Sequence, residues 1–130
     1  MVVAVVAVVV GMGFAAWRGG TDADGSADDG PRKIVMLGDS ITEQGDWSAM
    51  FPGRTIVNAG FSGYTSEQLV PLVREVIDTR PDAVFVLAGT NDVFNDRPPE
   101  WTAGRLDQLI TEIEATAPDA QIVIQTVLPA

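Results

Sequence analysis

From residue 33 onward, short apolar runs alternate with longer segments in which apolar residues recur every three or four positions. Four of the runs are rich in valine and isoleucine with little polar alternation, which is typical of strands covered on both faces of a sheet. They are Lys33–Leu37, Thr55–Asn58, Ala83–Ala88 and Gln121–Leu128. The pattern predicts a β-α-β-α-β-α-β order, in which right-handed crossovers place helices on both faces of a parallel sheet.

Two segments between these strands have the periodicity of amphipathic helices. In the first, apolar residues recur at helical spacing from Leu69 to Ile77, and Thr65 followed by Gln68 predicts a capping box at its start. Pro71 lies beyond the first turn and predicts a kink, because proline has no backbone N–H to donate. The second helical stripe consists of Leu106, Leu109, Ile110 and Ile113.

The amino-terminal part of the chain has a different pattern. Residues 1–17 contain no charged side chain. A membrane-spanning helix needs roughly 17–25 consecutive, predominantly apolar residues. We therefore expect residues 1–18 to form a hydrophobic helix that anchors the chain in a membrane. A cleaved signal peptide is the alternative, although its positive amino-terminal region is missing, and a start inside a longer leader is a third. Either targeting interpretation predicts an extracytoplasmic domain.

The segment that follows, residues 19–32, is rich in glycine and aspartate and predicts a flexible acidic linker. Residues 33–130 remain as the folded domain, and they suffice for one domain with one core. A net charge of −10 with only eight Lys and Arg argues against a nucleic-acid surface. The chain has no cysteine and no histidine, so the usual zinc ligands are absent. We expect no metal and no cofactor.

Three polar clusters that contain glycine follow the first three predicted strands. They are Gly38-Asp39-Ser40, residues 58–65 (NAGFSGYT) and Gly89-Thr90-Asn91-Asp92. The carboxyl ends of parallel strands meet at one edge of a sheet, so the three clusters should converge. A serine hydroxyl, an accessible glycine N–H and an asparagine amide are the groups that hold a tetrahedral oxyanion. Any one cluster alone is more typical of a helix cap or a turn, but all three together predict an active site.

The blocks LGDSIT, NAGFSGYT and LAGTND resemble, in order and spacing, the first three conserved blocks of the SGNH hydrolases, or GDSL-like lipases and esterases. The resemblance covers residues 33–130 and implies a three-layer α/β/α, flavodoxin-like fold and the hydrolysis of esters. It implies that Ser40 is the nucleophile. The backbone N–H groups of Ser40 and Gly63 and the side chain of Asn91 would form the oxyanion hole. Asp39, with Asp92, would support the site by orienting loops and capping helices.

One element of such a site is missing, because a serine nucleophile normally passes its proton to a histidine held by a carboxylate. In the family that the chain resembles, both residues come from a D-x-x-H motif after a fifth strand, and this chain contains no histidine. We therefore expect a domain truncated at its carboxyl end, either a fragment or the product of a prematurely terminated gene, that is inactive on its own.

The substrate implied by the resemblance is a small ester, either an acyl ester or an acetylated carbohydrate. Five aromatic side chains near the loops could line its pocket or could equally belong to the core: Trp47, Phe61, Tyr64, Phe94 and Trp101. A non-catalytic acyl- or carbohydrate-binding module on the same fold is the alternative function. A phosphate or nucleotide binder is a third, which the acidic surroundings and the lack of a Gly-rich loop with lysine disfavour.

Overall fold

The computed structural model describes residues 6–10, 32–77 and 80–126. The described strands are β1 (Val6–Val10), β2 (Lys33–Gly38), β3 (Thr55–Gly60), β4 (Ala83–Leu87) and β5 (Gln121–Thr126). The described helices are α1 (Ser40–Glu43), α2 (Trp47–Met50), α3 (Ser66–Leu69), α4 (Val73–Ile77), α5 (Thr90–Phe94) and α6 (Pro99–Thr116), with a 3-10 turn at Val70–Leu72.

The strands form one sheet in the spatial order β1-β5-β4-β2-β3. β2 pairs in parallel with both β3 and β4, and β4 pairs in parallel with β5. The four parallel strands therefore follow the order second, first, third, fourth, which is that of flavodoxin-like folds. This confirms the predicted α/β fold class. It also brings the carboxyl ends of β2, β3 and β4 together at one edge.

At residues 6–10 the structure has a strand where the sequence predicted part of a hydrophobic helix. β1 pairs antiparallel with β5, from Val6 opposite Thr126 to Val10 opposite Ile122. Valine is β-branched and favours strands, and the edge of β5 offers backbone groups for pairing. The rest of the predicted segment 1–18 and the linker as far as residue 31 lie outside the described residues. Of the helices in the described ranges, none combines the length and apolarity that crossing a membrane requires.

The core lies on both faces of the sheet. On one face, α3, α4 and α6 bury the side chains that carry the helical periodicity, which confirms both predicted helical stripes. The fully buried members are Leu69, Val73, Ile77, Leu109 and Ile113. On the other face, Met36 and Phe85 are buried beneath the segment around α2, with Trp47 and Phe51 packed against them.

The helix between β3 and β4 starts and bends where the sequence predicted. The Thr65 side chain accepts from the Gln68 N–H, and Gln68 Oε1 accepts from the Thr65 N–H at 2.9 Å, which completes the capping box. At Pro71 the helix narrows into the 3-10 turn before α4 continues it. The cap fixes where the chain leaves the loop after β3, a loop that belongs to the candidate site.

Two glycines allow α1 to lie directly on the ends of β2 and β3. Gly38 and Gly60 are paired in the sheet register. A β-carbon at Gly60 would collide with the backbone of Glu43, and one at Gly38 would lie 2.6 Å from the carbonyl oxygen of Leu87. Any side chain at either position would push α1 away, and Ser40 is the first residue of that helix.

Candidate active site

Ser40 lies at the carboxyl edge of the sheet, in the first position of α1 directly after β2. The preceding residue, Asp39, caps this helix, because its Oδ1 accepts from the Ile41 N–H at 2.9 Å. Asp39 is buried, whereas Ser40 is partly exposed. The capping role that is common for aspartate after a strand is therefore present, and it holds the serine at the surface of the edge.

The loop after β3 contributes Gly63. Its φ is +81°, and no described atom lies within 4 Å of the place where its β-carbon would stand. Glycine adopts this backbone conformation without steric cost, and its N–H can be approached closely. The backbone N–H of Gly60, in contrast, donates to Asn58 Oδ1 at 3.0 Å. Of the two glycines in this block, Gly63 is therefore the better placed to donate to a ligand.

The loop after β4 contributes Asn91, which lies in the first turn of α5 and is partly exposed. Its Nδ2 donates to the backbone oxygen of Tyr64 at 2.8 Å. An amide nitrogen carries two hydrogens, so one is left for a second acceptor. The bond joins the second and third loops, and the three predicted clusters thus follow neighbouring strands at one edge.

A second contact joins the same two loops below the surface. The backbone N–H of Ser66 donates to Asp92 Oδ1 at 2.8 Å, and the Ser66 hydroxyl donates to Asp92 Oδ2 in a short hydrogen bond. Both side chains are fully buried. The sequence indicated a loop-orienting role for Asp92 but not its partner, because a single serine at the start of a helix has no distinguishing pattern.

The sequence blocks LGDSIT, NAGFSGYT and LAGTND fall within residues 36–130. This range matches the model of the GDSL-like Lipase/Acylhydrolase family. The chain belongs to this family. The resemblance found in the sequence is thereby confirmed. A search of curated protein sequences found no match.

Solved structures with the same fold include three bacterial proteins. One from Chitinophaga pinensis, described as a possible lipase, is 23% identical with a TM-score of 0.60, and the match covers 71% of this chain and 47% of that one. The psychrotrophic esterase EstA from Pseudoalteromonas is 20% identical with a TM-score of 0.58, covering 72% and 58%. A GDSL-like lipase from Bacteroides thetaiotaomicron is 28% identical with a TM-score of 0.55, covering 70% and 46%. The chain thus spans about half the length of these structures.

The carboxyl of Asp39, which is buried at this edge of the sheet, has a displaced pKa. Burial raises the pKa of Asp39 above its ordinary value, and the charge of Asp92 adds to the rise. The hydrogen bond from the Ile41 backbone N–H offsets part of this rise. The folded state then binds this proton more tightly than the unfolded state, so Asp39 contributes to stability at pH values below its ordinary pKa. This contribution is lost as the pH rises through the raised pKa.

A groove of about 310 Å³ borders the loop that carries Asn91. It lies between α5, α6 and the end of β5, and its walls are mostly apolar. Its lining includes Gly89, Val93, Ala103, Leu106 and Gln125. Gln125 is only 8% exposed, and its Oε1 has no hydrogen-bond partner among the described residues. A buried polar atom without a partner costs free energy unless a ligand or water pairs with it.

The five aromatic candidates separate into core and surface. Trp47 and Phe61 pack against the two cores, and the Trp47 indole N–H donates to the Thr42 carbonyl at 2.7 Å. Tyr64 stacks on Phe61 with ring centroids 5.2 Å apart. Phe94 is the most exposed of the five, at 77%. Trp101 lies under two guanidinium groups, Arg97 at 4.7 Å and Arg105 at 5.5 Å.

The part of the chain that the structure describes contains no preformed set of metal ligands. No group of three or more carboxylates comes together there. Of the two buried carboxylates near the site, Asp39 caps α1 through its Oδ1, and Asp92 accepts hydrogen bonds from Ser66 with both oxygens.

Proposed function

We propose that this chain carries the nucleophile and the oxyanion donors of a serine ester hydrolase. Ser40 is the nucleophile, and the backbone N–H groups of Ser40 and Gly63 and the Asn91 amide are the donors. The observation that supports this most is the 2.8 Å bond from Asn91 Nδ2 to the Tyr64 carbonyl. It holds the loop of Gly63 against the loop of Asn91, on strands that flank the one ending at Ser40.

The proposed reaction is an acyl transfer in two steps. Ser40 Oγ attacks the ester carbonyl, its proton passes to a general base, and the three donors hold the negative charge that develops on the carbonyl oxygen. The alcohol leaves with a proton returned by the base, and water then releases the acid from the acyl-serine. Because the chain has no histidine, we propose that the base comes from residues outside these 130 and that the chain alone turns over very slowly.

A second candidate function is a non-catalytic module that binds acyl or carbohydrate groups in the same crevice. The observation that favours it is the absence of histidine from the chain. The two candidates differ in whether the full-length protein reacts covalently through Ser40, because a binding module needs no activated hydroxyl.

The experiment that tests the proposal is labelling with a fluorophosphonate, which reacts with an activated serine. The full-length protein, expressed from its whole open reading frame, should gain one label, and mass spectrometry should place it on Ser40. The Ser62→Ala variant, which removes an exposed serine in the neighbouring loop, should be labelled to the same extent. An unlabelled Ser40 beside a labelled reference esterase would reject the enzyme and favour the binding module.

We further propose that the groove beside Asn91 holds the acyl chain of the ester. It shares Gly89 and Val93 with the loop of Asn91, and its volume of about 310 Å³ lies at the lower end of small-molecule pockets, roughly 300–1,000 Å³. A short acyl chain fits this size.

Filling the groove should therefore change the preference for chain length. Ala103→Trp, on the α6 wall of the groove, is expected to lower kcat/KM for octanoate esters about 10-fold or more relative to acetate esters, because each lost buried methylene costs ~0.8 kcal/mol. Ala115→Trp, at an exposed position on the same helix, should leave the ratio unchanged. Equal ratios in both variants would place the acyl chain elsewhere and leave an acetylated carbohydrate as the better substrate.

A further inference from the structure

We propose that Asp92 and Ser66 form a buried clamp that positions the oxyanion donors, which makes Asp92 a positioning residue for the reaction. The inference rests on the proposed function above. It concerns a carboxylate that the proposed chemistry does not use.

The clamp joins two elements that are 26 residues apart in the chain. Asp92 lies in α5 after β4, and Ser66 begins α3 after β3. Each oxygen of the carboxylate accepts one hydrogen bond from the same serine, one from its backbone and one from its hydroxyl. Two bonds from one residue to one carboxylate fix both its distance and its orientation, and bonds to a charged acceptor are the stronger kind.

The clamp lies directly beneath the surface contact between the same loops. Asp92 follows Asn91 in the chain, and Ser66 lies two residues after Tyr64, whose carbonyl accepts from the Asn91 amide. A single bond between the loops would leave them free to rotate about it. A second, buried bond from the adjacent residue removes that freedom and sets the direction of the remaining Asn91 hydrogen relative to Gly63.

The expected effect of losing the clamp follows from the demands of an oxyanion hole. Donors must lie 2.7–3.1 Å from the developing charge, and misplacement by ~1 Å costs about 100-fold in rate. Ser66→Ala removes the hydroxyl and keeps the backbone N–H. Asp92→Asn keeps the size and one acceptor oxygen. Each is expected to lower kcat about 10- to 100-fold while KM changes little, because ground-state binding does not depend on these donors.

The matched control is Asp82→Asn. Asp82 is also an aspartate that accepts two hydrogen bonds, from the backbone N–H groups of Arg32 and Lys33 at 2.9 and 2.8 Å, but it lies at the opposite end of the sheet. Its replacement should change the urea midpoint of unfolding without changing kcat. If Asp92 had a purely structural role, Asp92→Asn and Ser66→Ala would likewise change the urea midpoint without changing kcat.

The experiment measures kcat, KM and the urea midpoint of the full-length protein with a p-nitrophenyl ester. Support for the clamp is a fall in kcat in folded Ser66→Ala and Asp92→Asn protein, with the double variant no slower than the slower single variant, since the two residues act as one unit. An unchanged kcat, an effect confined to KM, or additive losses would overturn it. Loss of activity in Ser40→Ala together with normal kcat in Ser66→Ala would reject the clamp alone, whereas full activity in Ser40→Ala would reject the proposed function.

A second measurement does not depend on turnover. Hydrogen exchange of the Asn91 side-chain amide, followed by NMR in the full-length protein and in its Ser66→Ala variant, reports how firmly the two loops are held. Exchange about 10-fold faster in the variant is expected, because the loops then open more often. Equal exchange rates would overturn the clamp even if the full-length protein were inactive or Asp92→Asn failed to fold.

Discussion

Replacing Ser40 with alanine is expected to lower kcat for ester hydrolysis by the full-length protein about 10⁴- to 10⁶-fold. The variant loses the atom that forms the covalent bond with the substrate, so only the rate supported by the oxyanion donors and by substrate binding remains. The measurement is the release of p-nitrophenol from a p-nitrophenyl ester under saturating conditions. Thermal unfolding should be almost unchanged, since Ser40 is partly exposed and Asp39 provides the cap of α1.

The control for this loss is Ser48→Ala, an exposed serine in α2. It removes the same hydroxyl at a place away from the three loops, and it should keep the parental rate. If Ser40→Ala hydrolysed the ester within 10-fold of the parent, another residue would be the nucleophile, and the likeness of the block LGDSIT to the family motif would have misled the assignment.

The second large effect is expected at Asn91. Asn91→Ala should lower kcat about 10²- to 10³-fold, the usual cost of removing one donor from an oxyanion hole. KM should change little, because the amide stabilises the charge that develops in the transition state more than it stabilises the neutral ester. The measurement is again steady-state hydrolysis by the full-length protein, with the urea midpoint recorded in parallel.

Asn91 has two roles, so its test needs a variant that separates them. Asn91→Asp keeps the size of the side chain but has no donor, and its negative charge repels an oxyanion, so its kcat should fall below that of Asn91→Ala. If the only function of Asn91 were its bond to the Tyr64 carbonyl, both variants would lose this bond equally and would have similar kcat values. That result would remove Asn91 from the oxyanion hole.

Much of this site could be predicted from sequence because its signals are local. Apolar runs and helical spacing predicted β2 to β5 and both amphipathic helices, and Thr65 with Gln68 predicted the capping box that the structure contains. The placement of three polar clusters after three parallel strands was enough to predict that they meet at one edge, and the strand order confirms it. In each case the pattern lies within one segment of the chain, where backbone geometry relates spacing directly to structure.

Other features were decided only by contacts between distant segments. The pairing of Val6–Val10 with β5 depends on which edge of the sheet is open to a further strand. Hydropathy alone assigned this valine run to a membrane helix. The need for glycine at position 60 arises only when α1 packs on it. The bond between Ser66 and Asp92 joins residues 26 positions apart that carry no periodic signal. The sequence by itself therefore determined β2 to β5, the two amphipathic helices and the edge where the candidate groups gather. The tertiary structure alone decided how those groups are held, because a contact between residues far apart in the chain depends on the packing of whole elements and not on the pattern within either one.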